Sequence, residues 1–437
     1  MSSRIILNKN SLDHMQRLTL NNGTRVLLLP FSGTEAASFF VLFNVGSRYE
    51  YPAINGAAHF IEHLMFKGTK RRPRTLDISR TLDAVGAEFN AYTSKDSTGY
   101  YVKADATHLP LAIDLLHDML FHSTFAPKEV KRERGVIIEE INMYHDNPLM
   151  FVEDLLEQTM FEGSTLGWEV TGSPQTMRSM TRKAVMEFHK SHYIPSRMVV
   201  AVAGKLSPKT LAQIKRTFGS VPKSGDVPTA FGAFPGIFPR SKPRVNVHYK
   251  ATKQIQIAFG FPSFGIDDKR NSAVTLLATI LGGTMSSRLF ISVRERRGLA
   301  YRVGASLSSY QEVGAFVIHA GLDRTRLPLA TKTIMNEVRK VLRNGVTARE
   351  VREAKDHVHG KLLLRFEDSS SRAEWYASQE LLMREAKTFE QRLKELEKVT
   401  PADIKNVARE IFDFRRLSVA TIGPYRNEQA FLKAAGM

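Results

Sequence analysis

His59-Phe60-Ile61-Glu62-His63 brings two imidazoles and a carboxylate into one short stretch. On a helix, residues four apart stand one turn apart on the same face, so His59 and His63 can reach a single metal ion. Glu62, next to His63, can lean over that ion without ligating it. Three protein donors around zinc with a water in the fourth position is the usual catalytic arrangement, and a carboxylate beside that water is the general base of metal-assisted hydrolysis. The order H-x-x-E-H inverts the commoner H-E-x-x-H. The plainer alternative is an amphipathic helix with surface histidines and a solvated Glu. Against it, Gly56-Ala57-Ala58 and Leu64-Met65-Phe66 on either side are small or apolar, and polar groups in such surroundings need partners.

A third donor must come from another element. Glu129 to Ile141 reads as a helix with Val130, Ile137 and Ile141 as its apolar stripe. Glu133 and Glu140 are two turns apart and share a face. Glu139 lies about 100° around the helix from Glu140, so the two cannot serve the same ion, and it reads as an ordinary solvated carboxylate.

Several further segments carry a resemblance: Val45 to Glu50 (VGSRYE), Gly56 to Thr69 (GAAHFIEHLMFKGT), Asn90 to Thr93 (NAYT), Glu133 to Tyr144 (ERGVIIEEINMY), Gly282 to Phe290 (GGTMSSRLF) and Arg294 to Tyr301 (RERRGLAY). Together they span nearly the whole chain, which resembles the pitrilysin family of zinc metallopeptidases, in the short-chain branch that includes the mitochondrial processing peptidase and its bacterial relatives. The resemblance implies one zinc ion per chain held by His59, His63 and Glu140, with Glu62 as base and Glu133 orienting a ligand from behind. It makes Asn90 and Ala91 part of an edge strand that offers its backbone to an extended peptide substrate. It also maps Arg294 and Tyr301 onto residues that contact bound peptide, with Arg296, Arg297 and Arg302 as competitors for the arginine role. By themselves, Arg294 and Tyr301 read as a helix-surface Arg and a partly buried Tyr. The implied activity is endoproteolysis of short or unfolded peptides, and relatives of this size pair, so a homodimer or a heterodimer with a related subunit is expected. The rival readings are a non-catalytic scaffold subunit and a basic nucleic-acid-binding protein.

Composition narrows the field. The chain has 437 residues, which implies two or more domains. It has no cysteine, so disulfides, thiolate ligands and thiol nucleophiles are excluded, and a reducing cytoplasm is the expected compartment. No run of 18 apolar residues suggests a membrane span. Met1 to Asn10 lacks the continuous apolar core of a secretory signal and the pattern of a transit peptide. The formal charge of +18 could favour nucleic acid, an anionic membrane, or steering of acidic peptides. Basic residues crowd at Lys67, Lys70, Arg71, Arg72 and Arg74 and again at Lys131, Arg132 and Arg134. No zinc finger, aromatic RNA-binding signature or helix-turn-helix pattern accompanies them, so nucleic acid is not the expected partner. Gly282-Gly283 and Gly298 lack the following G-K-[ST] of a phosphate loop.

The elements that must hold these residues come in two copies. Arg25-Val26 opens a strand-like run, and Arg244-Val245 opens another 219 residues later; Arg197 to Gly204 parallels Arg416 to Gly423 at the same offset. Glu129-Val130-Lys131 parallels Glu350-Val351-Arg352 at an offset of 221. Order repeated at a fixed period argues for duplication. Between the copies, residues 219–243 hold Pro222, Pro228, Pro235, Pro239 and Pro243, and read as an extended linker held against the protein by Phe231, Phe234 and Phe238. The expected fold is α+β: a catalytic domain over 1–218 and a homologous non-catalytic domain over 244–437, each a mostly antiparallel sheet covered by helices. At these offsets His59, Glu62 and His63 fall on Ala278, Leu281 and Gly282, and Glu140 falls on Lys361, so the metal chemistry belongs to the first copy alone.

Overall fold

The β-branched and aromatic runs of the sequence become strands, as their pleated packing favours. In the computed structural model, which describes residues 15–225, 231–232, 234–383 and 385–437, these are β1 (Gln16–Thr19), β2 (Arg25–Pro30), β3 (Ala36–Phe43), β4 (Glu88–Thr93), β5 (Thr98–Asp105) and β6 (Met198–Gly204) in the first half. The second half supplies β7 (Arg244–Tyr249), β8 (Gln254–Phe264), β9 (Ala300–Ser309), β10 (Val313–Asp323) and β11 (Ser418–Gly423). Two sheets form, in the orders β1-β2-β6-β3-β5-β4 and β7-β11-β8-β10-β9. Each has one parallel pair, β2 with β6 and β7 with β11, and is otherwise antiparallel. The parallel pairs share a register: Arg25 sits opposite Val199, and Arg244 opposite Ser418, both partners displaced by 219 residues. The duplication read from the sequence is therefore present in the hydrogen-bond ladder itself, and the fold class is the α+β one expected.

The described residues group into two compact units, and these are not contiguous. The first unit draws on the described residues within Met1–Ile141, Trp168–Gly232 and Leu362–Lys387; the second on those within Asn142–Gly167, Ala233–Lys361 and Thr388–Met437. The sequence division at 218 and 244 thus differs by two exchanged segments. In the first unit, helix Ser369–Leu382 from the far end of the chain packs on β3 and β6, where the Ser369 hydroxyl meets that of Ser38 at 2.8 Å and the buried Glu380 accepts from Arg17 at 2.9 Å. In the second, helix Pro148–Met160 from the first half packs on β8 and β11, and its Phe151, Leu155, Leu156 and Met160 join Ala258, Val317, Ala420 and Ile422 in one core cluster. Local composition shows where the chain crosses over, but an amphipathic helix does not announce which of two similar sheets it will cover.

Within the linker, 226–230 and 233, including Pro228, lie outside the described residues, as does Met1 to Asn10. Phe231 packs edge-on to Tyr49 in the first unit and Phe234 edge-on to Phe161 in the second. Phe238 does not follow them and is 63 % exposed. The basic crowd beyond His63 is largely neutralised: Arg71 and Arg72 pair with Asp114 and Asp118, Arg74 with Asp77, Lys67 with Glu133, and Arg132 with Glu129. That pairing removes most of the local case for a polyanion-binding face. Among the described residues, no helix is long and apolar enough to cross a membrane.

Candidate metal centre

Helix Ala57–Met65 carries the three polar residues of the motif. Phe60, Ile61, Leu64 and Met65 are fully buried beneath it, which turns His59, Glu62 and His63 onto the other arc. Its start is fixed from outside. Gly56 has φ of +96°, and a Cβ there would lie 2.6 Å from the Thr171 carbonyl oxygen, so only glycine fits. No side chain at the helix start caps it; instead Glu50 accepts from the Gly56 and Ala58 backbone N–H groups, each at 2.7 Å, and from Asn55 Nδ2 at 2.9 Å. Burial pushes the Glu50 carboxyl up to about 8, against the pull of these donors.

The third element is helix Pro127–Asp146, whose Val130, Glu133, Ile137 and Ile141 are buried. It brings Glu140 Oε2 to 3.7 Å from His59 Nε2 and 3.4 Å from His63 Nε2. One donor atom from each of His59, His63 and Glu140 lies within 4.8 Å of the others, and no other such group of three occurs among the described residues. Donors held tetrahedrally about 2.1 Å from an ion would stand about 3.4 Å apart, so the spacing fits a zinc-sized cation. The separation from His59 is too long for a hydrogen bond. Burial, with His63 alongside, pushes His59 down to about 4, against the pull of Glu140. His59 Nε2 facing the Glu140 carboxylate without a hydrogen bond is an arrangement that a cation between them would satisfy.

Behind His63, Glu133 Oε2 lies 3.4 Å from its Nδ1, and Lys67 Nζ holds Glu133 Oε1 at 3.0 Å. Burial works against charge on His63, yet Glu133 and Glu140 outweigh it and push the imidazole up to about 9. A carboxylate on the outer nitrogen of a ligating histidine fixes the ring and its tautomer. Glu139 is exposed, as an ordinary solvated carboxylate should be.

Glu62 is partly buried and within electrostatic reach of His63 and Glu140; burial raises its pKa, while a hydrogen bond from Thr93 Oγ1 to its Oε2 at 2.6 Å opposes the rise. Asn90 is exposed and Ala91 half-buried on β4, the terminal strand of its sheet. In the second unit, the Arg294 guanidinium lies 5.2 Å from the Tyr301 ring centre, and Tyr301 is 77 % exposed rather than partly buried. Arg297 is engaged with the Ser292 carbonyl at 2.7 Å, whereas Arg296 and Arg302 are exposed. Sequence reasoning missed Glu50, Thr93 and Lys67. Glu50 and Thr93 sit inside the matched segments, but no spacing rule points from either to the helix.

Residues 25–173 match the family model described as insulinase (peptidase family M16), and residues 179–358 match that of the peptidase M16 inactive domain. An uncharacterized zinc protease of Streptomyces coelicolor is 37% identical, covering 98% of this chain and 93% of its own length. The uncharacterized zinc protease YmxG of Bacillus subtilis is 34% identical over 94% of this chain and 99% of its own. Among solved structures, a protease from Helicobacter pylori superposes with a TM-score of 0.88 at 23% identity, covering 95% of this chain and 100% of that one. A peptidase M16 inactive domain from Pseudomonas fluorescens superposes with a TM-score of 0.84 at 18% identity, covering 95% and 99%. At those identities the structural likeness is one of fold.

Proposed function

The chain belongs to the pitrilysin, or insulinase, family of zinc peptidases (M16), and from that premise we propose that it is a zinc-dependent endopeptidase acting on short or unfolded peptides. The observation that carries this reading is the convergence of His59 Nε2, His63 Nε2 and Glu140 Oε2, with Glu62 beside them. A divalent ion held by these three supplies Lewis acidity toward water and toward the scissile carbonyl. Glu62 takes a proton from the attacking water and passes it to the leaving amine as the C–N bond breaks. Glu133, braced by Lys67, keeps the His63 ring in place. The free edge of β4, with Asn90 and Ala91, receives an extended peptide through main-chain hydrogen bonds. Arg294 and Tyr301 donate to substrate carbonyls. Pairing with a second copy or a related subunit belongs to the same proposal; sedimentation showing a fully active monomer would contradict that part.

The test is metal analysis combined with cleavage of a quenched peptide library. The expected result is one zinc per chain, cleavage abolished by a chelator, and activity restored by zinc. Cleavage that persists after complete removal of metal would refute the assignment.

A further inference from the structure

We propose that Thr93 is the positioning residue for the general base, fixing which oxygen of Glu62 receives the proton and tying that oxygen to the strand edge. The proposal rests on the reading of Glu62 as base given above. Thr93 is the last residue of β4, and its hydroxyl donates to Glu62 Oε2 at 2.6 Å. Among the described residues Oε1 of Glu62 has no hydrogen-bond partner, so it is the oxygen left to accept from water. A carboxylate on a flexible side chain gains two things from such a bond: one fixed rotamer and two inequivalent oxygens.

The hydroxyl is itself held firmly. Along β4 the side chains alternate, which places Phe89, Ala91 and Thr93 on one face. Phe89 and Ala91 pack against the core, and the Phe89 ring lies 6.3 Å from that of Phe66, just past the helix. The turn after Thr93 closes with Ser94 N–H donating to the Ser97 carbonyl at 2.8 Å, and Lys95, Asp96 and Ser97 are buried. Ser47 and Arg48 donate their N–H groups to the Ser94 and Lys95 carbonyls, each at 3.1 Å. Gly46 lies so close that a Cβ would stand 2.2 Å from the Ser94 oxygen. The same short segment ends in Glu50, which binds the start of helix Ala57–Met65. One bracket, Gly46 to Glu50, therefore holds both partners of the Thr93–Glu62 bond: the strand turn by its backbone and the helix by a carboxylate. Since β4 is also the strand proposed to receive substrate, the base is registered to the strand along which the scissile bond would lie.

The experiment compares Thr93→Val, which keeps the shape and removes the hydroxyl, with Thr93→Ser, which keeps the hydroxyl. Both are assayed on a quenched peptide beside Glu62→Gln, with bound zinc and thermal stability measured for each. Loss of one charge-assisted bond predicts a fall in kcat of about 10- to 100-fold for Thr93→Val. KM should stay within about twofold, zinc content should match the parent, and Thr93→Ser should recover most of the rate. Unchanged kcat in Thr93→Val would overturn the proposal, as would Thr93→Ser being equally impaired or zinc being lost in step with rate. A fully active Glu62→Gln would instead remove the base reading itself, which separates the two failures.

Discussion

The two sheets are built on one plan, yet the helix that follows β3 in the first and the one that follows β8 in the second have opposite relations to their neighbours. In the first unit, helix Ala57–Met65 presents His59, Glu62 and His63 beside β4, and the polar arc meets Glu140 and Thr93. In the second, the corresponding stretch runs through Asn271–Ala278 into a π-helical turn over Thr279–Gly283. There Gly282 stands where His63 does, and a Cβ on it would lie 2.3 Å from the Ala305 backbone nitrogen of β9. Ala278 and Leu281, at the other two positions, are buried, and Lys361, the counterpart of Glu140, is exposed. What separates a site from a scaffold here is separation between helix and strand: one copy keeps room for side chains, and the other closes helix onto strand with glycine. This agrees with the match of the later residues to a family model described as inactive.

The strongest way to break this contrast is Glu62→Gln. It should lower kcat by about 10²- to 10⁴-fold while bound zinc, measured by atomic absorption, stays at the parent level. A variant that still turned over at the parent rate would leave the first unit no more catalytic than the second. Next, Glu133→Gln should weaken zinc binding by about 10- to 100-fold in competition with a chromophoric chelator; equal affinity would mean that His63 needs no brace. On the closed side, Gly282→Ala should destabilise by about 1–3 kcal/mol through overpacking, read by denaturant unfolding. No loss would show that β9 can retreat and that the closure is not enforced. The smallest effect concerns Glu350, the counterpart of Glu129. Burial opposes its charge, but Arg288 at 2.6 Å and Thr347 hold it down to about 2. Because the folded value lies below the unfolded one of about 4.3, its contribution is complete above that pH and fades as pH falls toward 2. Glu350→Gln should therefore cost under about 1 kcal/mol at pH 7, the side chain being partly exposed, and flatten the acid limb of the stability curve between those values. An unaltered acid limb would show that the pair contributes nothing.

How much of this was legible beforehand depended on whether a residue's role is periodic. His59 and His63 were readable because helical spacing alone puts them on one face, and the apolar flanks turn that face toward partners. Glu133 and Glu140 were narrowed to a shared face by the same arithmetic, and the resemblance separated their roles. Glu50 and Thr93 were not readable as partners of the helix, because their bonds span loops whose geometry no local pattern encodes: Glu50 reaches Ala58, and Thr93 reaches back to Glu62. The neutralisation of the basic crowd was unreadable for a related reason. Formal charge counts Arg71 and Arg72 but cannot see Asp114 and Asp118 brought against them. The strands and the duplication were legible since both rest on runs of residue type at a constant offset.

The borrowed helix Ser369–Leu382 imposes an order on biosynthesis. Strands β1 to β6 have all been synthesised by Gly204, but one face of their sheet lacks its cover until residue 382 has been made. With synthesis at about 5–20 residues per second, the nascent first sheet would wait roughly 10–40 seconds with an apolar face open. Completion of the first unit thereby waits on a segment made late in the chain, and a chain terminated before it would hold His59, His63 and Glu140 beside a sheet with one face uncovered.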